Sequence, residues 1–326
     1  MEVALPFLAV AFGLAVLVWS ADRFVDGAAA SARLLGVPPL LVGMVVVGFG
    51  TSAPELTVSA ISAWQGNPSI ALGNAWGSNI CNVALILGAA ASIAPLAVRR
   101  ASLRFDLPVL LAATALSWIL LRDGSVSRAD AWILLGVFVA WLVSSCVLSL
   151  WKKDADAAAE DAPGGGLSGR WAAFWTVAGL VFLVASSRAL VWGAVELAQA
   201  LGVSDLVIGL TVVAVGTSLP ELASSIAAAR KGEDDLAVGN VIGSNLFNTL
   251  AVVGLAGAIR GMPSTDPAVA GRDVPFAFAL AAALFVFGFP RRRGGARDGR
   301  LGRGAGLLFL AAYAVYLAVI LRAAAR

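Results

Sequence analysis

The chain has 326 residues, of which 60% are hydrophobic and only 13% charged, with a formal net charge of +3. Soluble domains carry about 25% charged residues, so this composition excludes an ordinary soluble domain, and the small net charge argues against a nucleic-acid partner. The chain has no histidine, which excludes zinc sites and proton relays built on imidazole.

The N-terminus, Met1-Glu2-Val3, lacks the basic region of a cleaved signal peptide. The first apolar block is therefore expected to remain as a membrane helix. Blocks near 20 residues can cross a hydrocarbon core of about 30 Å as helices, and alternating strand patterns, the mark of a barrel, are absent. Ten spans are predicted, at about 3–21, 39–63, 69–95, 105–121, 129–151, 171–189, 205–229, 235–259, 273–289 and 304–322. The polar stretch Lys152–Arg170, with Gly164-Gly165-Gly166, reads as a flexible linker too short for a folded regulatory domain. The expected organisation is a first five-helix unit over 1–151, a cytoplasmic linker over 152–170 and a second unit over 171–326. Cys81 and Cys146 fall inside apolar segments without metal-ligand spacing and read as small buried hydrophobes.

Of the 23 lysines and arginines, 16 fall in the loops that follow odd-numbered spans. The positive-inside rule puts those loops in the cytoplasm and both termini outside. A multi-pass protein of the cell (inner) membrane is expected, with Arg291-Arg292-Arg293 as a topology anchor.

The decisive feature is an internal repeat. GTSAPEL at 50–56 recurs as GTSLPEL at 216–222, and ALGNAWGSNICN at 71–82 recurs as AVGNVIGSNLFN at 237–248. The offset is 166 residues for both, as 221 − 55 and 248 − 82 show, and it also relates Gly36 to Gly202 and Gly88 to Gly254. An odd number of spans per unit makes the second copy enter the membrane from the opposite side. The expected fold class is thus an all-α membrane protein of ten transmembrane helices arranged as two inverted five-helix repeats, an architecture typical of secondary transporters with the substrate site at the repeat interface.

Glu55 and Glu221 lie deep in apolar spans. An ionisable residue there costs at least ~2.5 kcal/mol on insertion scales and marks a functional site by default; a buried structural carboxylate is the bland alternative. Pro54 and Pro220 immediately precede them and should break the helix, freeing carbonyls such as those of Thr51 and Thr217 to face a cation. Such irregular backbone is tolerated at this depth only where it faces protein or a wet cavity. Ser78 and Asn82, matched by Ser244 and Asn248, are four residues apart, so each pair shares a helix face. Gly73, Gly77, Gly239 and Gly243 allow close helix packing, which would bring that face against the break. Carboxylates, hydroxyls, amide oxygens and carbonyls form an all-oxygen set suited to calcium or sodium. Two ionised glutamates carry −2, which one Ca²⁺ neutralises and several Na⁺ could share, so the two loads exclude each other.

With these motifs the chain resembles the sodium/calcium exchangers of the cation/calcium exchanger superfamily, prokaryotic type. The resemblance implies that Glu55 and Glu221 are shared Ca²⁺/Na⁺ carboxylates and that Thr51 and Thr217 add carbonyls. It also implies that Ser52, Ser218, Ser78 and Ser244 complete sodium sites, with Asn82 at the centre. Asn248 stands where potassium-dependent members have Asp, which implies K⁺-independent exchange. Ca²⁺ and Na⁺ would be substrates, with no cofactor and no enzymatic activity, and a monomer in the bilayer would suffice. A proton/calcium antiporter is the nearest rival, because the two glutamates could carry protons. A calcium-permeable channel is more remote, since channels usually assemble rings around a symmetric pore.

Overall fold

The computed structural model describes residues 4–151, 167–202, 214–290 and 299–324. The chain is almost wholly helical. We label α1 Ala4–Leu35, α2 Pro39–Thr51, α3 Ala53–Trp64, α4 Ile70–Ile93, α5 Ser102–Asp123 and α6 Arg128–Trp151. Then follow α7 Gly169–Ala200, α8 Ala214–Thr217, α9 Leu219–Lys231, α10 Asp234–Ile259, α11 Val269–Phe287 and α12 Arg303–Ala324. Among the described residues, eight helices are long and apolar enough to cross a membrane, or nine if the bent pair α2–α3 counts as one span. Residues 205–213 of the seventh predicted span and 152–166 of the predicted linker lie outside the described residues.

Two helices are longer than the apolar blocks that predicted them. α1 and α7 each run for 32 residues, about 48 Å at 1.5 Å per residue, whereas their apolar blocks end near 21 and 189. Hydropathy marks the lipid-crossing part, but a helix continues until a stop signal. Here the stops are Gly36 and Gly202, in the left-handed region at φ 60° and 76°, a conformation that glycine adopts without steric cost.

α1 and α7 pack along most of their length through glycines. A Cβ at Gly13 would lie 3.1 Å from Leu190, and one at Gly179 would lie 2.8 Å from Phe24. Further along, a Cβ at Gly27 would lie 2.5 Å from Thr176, and one at Gly193 would lie 3.0 Å from Val10. Both pairs of contacts are reciprocal under the 166-residue offset: Gly13 maps to Gly179 while Phe24 maps to Leu190, and Gly27 maps to Gly193 while Val10 maps to Thr176. Self-complementary contacts of this kind are the signature of a two-fold relation. As the residue number rises on α1 it falls on α7, so the helices are antiparallel.

α4 and α10, which carry the repeated GN–GSN segments, are the most buried of the long helices. At one end of the bundle, β1 (Leu96–Val98) pairs antiparallel with β2 (Gly299–Leu301), an element too short to leave a sequence signal. Asp234 accepts from the Ala97 amide at 2.8 Å, Arg99 pairs with Asp235, Arg33 with Glu233 at 3.1 Å, and Lys231 with Asp26 at 2.7 Å. These contacts join segments that the charge pattern assigns to one face. At the other end, Val126 bridges to Met262 and the Thr265 amide donates to the Gly124 carbonyl at 2.8 Å.

Candidate functional site

The two GTS-x-PEL segments form two helix breaks. α2 and α3 meet at Ser52 with a bend of 46°, where Ser52 leaves the helical region (φ −83°, ψ 3°). Ser218 does the same between α8 and α9 (φ −93°, ψ 10°). Pro54 and Pro220 sit in the first turn of the helices that restart, where a missing amide hydrogen is harmless and the fixed φ suits the helix. Each proline also leaves the carbonyl four residues back without its helical donor. Behind the second break, the hydroxyl of Ser187 on α7 satisfies that carbonyl, donating to the Gly216 oxygen at 3.1 Å.

The breaks place Glu55 and Glu221 in the first turns of α3 and α9. Exposed amides and the helix dipole favour a carboxylate there. Both side chains are buried, at 0% and 1% exposure, and interact electrostatically with each other. Ser52, from the first break, donates to Glu221 Oε1 at 3.2 Å, so each half supplies part of the other's environment. In the matching place Ser218 Oγ lies beside Glu55, though not in good hydrogen-bond geometry with any of the described residues. Ser78, from α4, donates to Glu55 Oε1 at 3.4 Å. Its counterpart Ser244 departs from that role and donates to the Gly48 carbonyl of α2 at 3.4 Å.

The asparagines stand on short π-helical turns, Cys81–Leu87 in α4 and Phe247–Val252 in α10, each the second residue of its turn. Such turns shift the register of a helix face and recur at functional sites. Asn82 Nδ2 donates to Asn245 Oδ1 at 3.0 Å. Thr51 Oγ1 shares its one proton between the Val47 carbonyl at 2.9 Å and Asn240 Oδ1 at 3.2 Å. Thr217 is half-buried at the end of α8.

Glu55 Oε2, Glu221 Oε2, Asn82 Oδ1, Ser218 Oγ and both amide atoms of Asn248 are buried with no hydrogen-bond partner among the described residues. A buried polar atom left unpaired costs about 1–3 kcal/mol. The two glutamates and the serines beside them, Ser52, Ser78 and Ser218, bring oxygens of both halves together with lone pairs unused on each carboxylate, a donor type that hard cations take. Reasoning from the sequence missed the residues behind this layer, Asn74, Asn79, Asn240, Asn245, Ser59 and Ser225. The 166-residue offset does pair Asn74 with Asn240, Asn79 with Asn245 and Ser59 with Ser225, and that signal could have found them.

Fold and site together define a multi-pass membrane protein with an internal oxygen-rich centre. The chain belongs to the sodium/calcium exchanger family: the family model described as "Sodium/calcium exchanger protein" matches residues 5–147 and 171–322. It is 45% identical over 313 residues to the proposed antiporter CaxA of Alkalimonas amylolytica, covering 93% of this chain and 95% of that protein. It is 38% identical over 315 residues to the inner membrane protein YrbG of Escherichia coli (strain K12), covering 94% of each chain. Among solved structures, that of the sodium-calcium exchanger NCX_Mj soaked with Na⁺ and Sr²⁺ superposes with a TM-score of 0.82 at 30% identity, covering 97% of this chain and 98% of that one.

Proposed function

We propose that the chain is a secondary antiporter that exchanges Na⁺ for Ca²⁺ across the inner membrane by alternating access. The observation that carries this reading is the hydrogen bond from Ser52, at the first break, to Glu221, beyond the second, with each buried glutamate held by a serine and left with one oxygen unpartnered among the described residues. Glu55, Glu221, Ser52, Ser218, Ser78, Asn82 and Asn248 supply side-chain oxygens, and Thr51 and Thr217 supply carbonyls. Ser244 belongs to the same set by its place in the repeat.

In this reading the protein has ten spans in two inverted five-helix units, 1–151 and 171–326, joined by a cytoplasmic linker over 152–170, with both termini outside. The reciprocal α1–α7 contacts and the shared 166-residue offset support the inverted repeat. The grouping of the basic loops on one face supports the orientation. One Ca²⁺ or several Na⁺ neutralise the −2 of the glutamates, and the empty, charged site resists crossing the membrane potential at about 2.3 kcal/mol per charge per 100 mV. Exchange of more than two Na⁺ per Ca²⁺ is electrogenic. Asn248 in place of a carboxylate supports K⁺-independent exchange, and one chain suffices.

The test is ⁴⁵Ca²⁺ flux in proteoliposomes under imposed Na⁺ or H⁺ gradients, run separately. Uptake driven by an outward Na⁺ gradient supports the reading. Uptake driven by the H⁺ gradient alone replaces it with proton/calcium antiport, and uptake that needs neither gradient points to a channel.

A further inference from the structure

Behind each glutamate the structure repeats one hydrogen-bonded clamp. Asn74 Nδ2 donates to the backbone carbonyl of Glu55 at 3.1 Å and to Ser59 Oγ at 2.9 Å. Asn240 Nδ2 donates to the backbone carbonyl of Glu221 at 3.3 Å and to Ser225 Oγ at 2.8 Å. In both halves the serine lies four residues after the glutamate, on the same helix face. In both the asparagine comes from the neighbouring helix of the GN–GSN segment.

The second clamp has a further arm. Asn240 Oδ1 accepts from Thr51 Oγ1 at 3.2 Å, across the boundary between the halves. One amide thus ties the last residue before the first break to the backbone of the acidic residue after the second. Asn240 and Thr51 are buried, at 1% and 0% exposure. In such surroundings a neutral amide holds a fixed geometry, because every departure leaves a donor or acceptor unpaired.

A helix restarting at a proline begins with a loosely held first turn, since its first amides and the carbonyls behind it lack helical partners. The glutamate sits in that turn. A cation bound by several oxygens needs them placed together, and a ligand backbone free to move gives up that preorganisation on binding.

We propose that Asn74 and Asn240 are positioning residues that fix the backbone of Glu55 and Glu221, and that Asn240, through Thr51, sets the two carboxyls relative to each other. This inference rests on the reading of the glutamates as Ca²⁺ ligands. Neither asparagine touches the ion; each acts through the residue that does.

The experiment uses the full-length protein in detergent and in proteoliposomes, with Ca²⁺ as the probe. Thermal unfolding is followed without and with saturating Ca²⁺ for wild type, Glu221→Gln, Asn240→Ala, Asn240→Asp, Asn74→Ala and Ser225→Ala. ⁴⁵Ca²⁺ uptake is titrated against Ca²⁺ concentration for each. Positioning predicts that Asn240→Ala raises the half-saturating Ca²⁺ concentration about tenfold or more and shrinks the Ca²⁺-induced rise in Tm. Asn240→Asp, which keeps the acceptor for Thr51 but loses the donors to Glu221 and Ser225, falls between Ala and wild type. Asn74→Ala and Ser225→Ala, which remove other arms of the clamps, show the same shift at smaller size and carry the test if Asn240→Ala does not fold.

Variants that lower Tm equally with and without Ca²⁺ and leave half-saturation unchanged overturn the inference, because that is what a merely structural asparagine does. If the wild type itself gains no stability from Ca²⁺ and matches Glu221→Gln, the ion-site reading fails and the inference falls with it. A responsive wild type beside unaltered clamp variants sinks the inference alone.

Discussion

Asn82 donates to Asn245 across 3.0 Å, and Asn245 in turn donates to the backbone carbonyl of Asn79 at 3.4 Å. Asn79 and Asn245 occupy the same place in the two repeats, so this chain of amides spans the crossing of α4 and α10. Replacing Asn245 by Ala removes both bonds inside a buried crossing, at a cost of about 1–3 kcal/mol for the groups left unpaired. A fall in Tm of the purified protein checks this; an unchanged Tm would show the amide chain to be dispensable.

Glu55→Gln and Glu221→Gln are each expected to abolish ⁴⁵Ca²⁺ uptake while leaving the protein folded, since the amide keeps the shape but removes the charge that holds a divalent ion. Wild type should gain thermal stability from Ca²⁺, by about 2.7 kcal/mol at one hundred times Kd, and should lose the gain in chelator. Full uptake by either variant would remove that carboxylate from the ion site.

Asn248 has both amide atoms buried and unpartnered among the described residues but brings no charge. Exchange should therefore proceed equally when K⁺ is replaced by choline. Sodium-driven uptake that stops in choline would contradict the role given to this residue.

The α1–α7 seam should not accept side chains. A Cβ at Gly179 would lie 2.8 Å from the backbone of Phe24, so Gly179→Val forces the helices apart at a cost of about 1–3 kcal/mol or more. At Gly136, exposed on α6, an added Cβ meets nothing within 4 Å among the described residues. Gly136→Ala should hold or raise stability by about 0.5–1 kcal/mol. Melting curves of the two variants moving together would refute the close approach at the seam.

Much of this arrangement is legible in the sequence. GTSAPEL and GTSLPEL carry both the chemistry and its geometry: proline fixes where the helix restarts, and the next residue is the acid. The matched spacing of Ser78 and Asn82 with Ser244 and Asn248 puts their helices beside the breaks. What the sequence hides depends on long-range packing. Ser78 and Ser244 are equivalent in the repeat, yet one bonds a glutamate and the other a carbonyl of α2, a difference set by neighbours from elsewhere in the chain. The π-helical turns leave no pattern, because one extra residue per turn changes no residue's hydropathy. Asn74 and Asn240 lie within the quoted repeat, but an amide that serves as a backbone clamp reads the same as one that serves as a ligand until its partner is visible.

The ion pairs that hold α1 at the β1–β2 end of the bundle have no oppositely charged pair at the mirror positions. Lys231 with Asp22 and Asp26, and Arg33 with Glu233, hold α1 to the α9–α10 turn. Moved by the repeat offset, the same places hold Gln65, Arg188 and Trp192, and Gln199 and Asn67. Perfect internal symmetry would make the two orientations of an alternating machine degenerate. Partly exposed ion pairs are worth at most about 1 kcal/mol each, a factor of about five in population. In the proposed alternating cycle these unmatched ion pairs lift the degeneracy, and the resting balance between the two orientations becomes sensitive to ionic strength on that face.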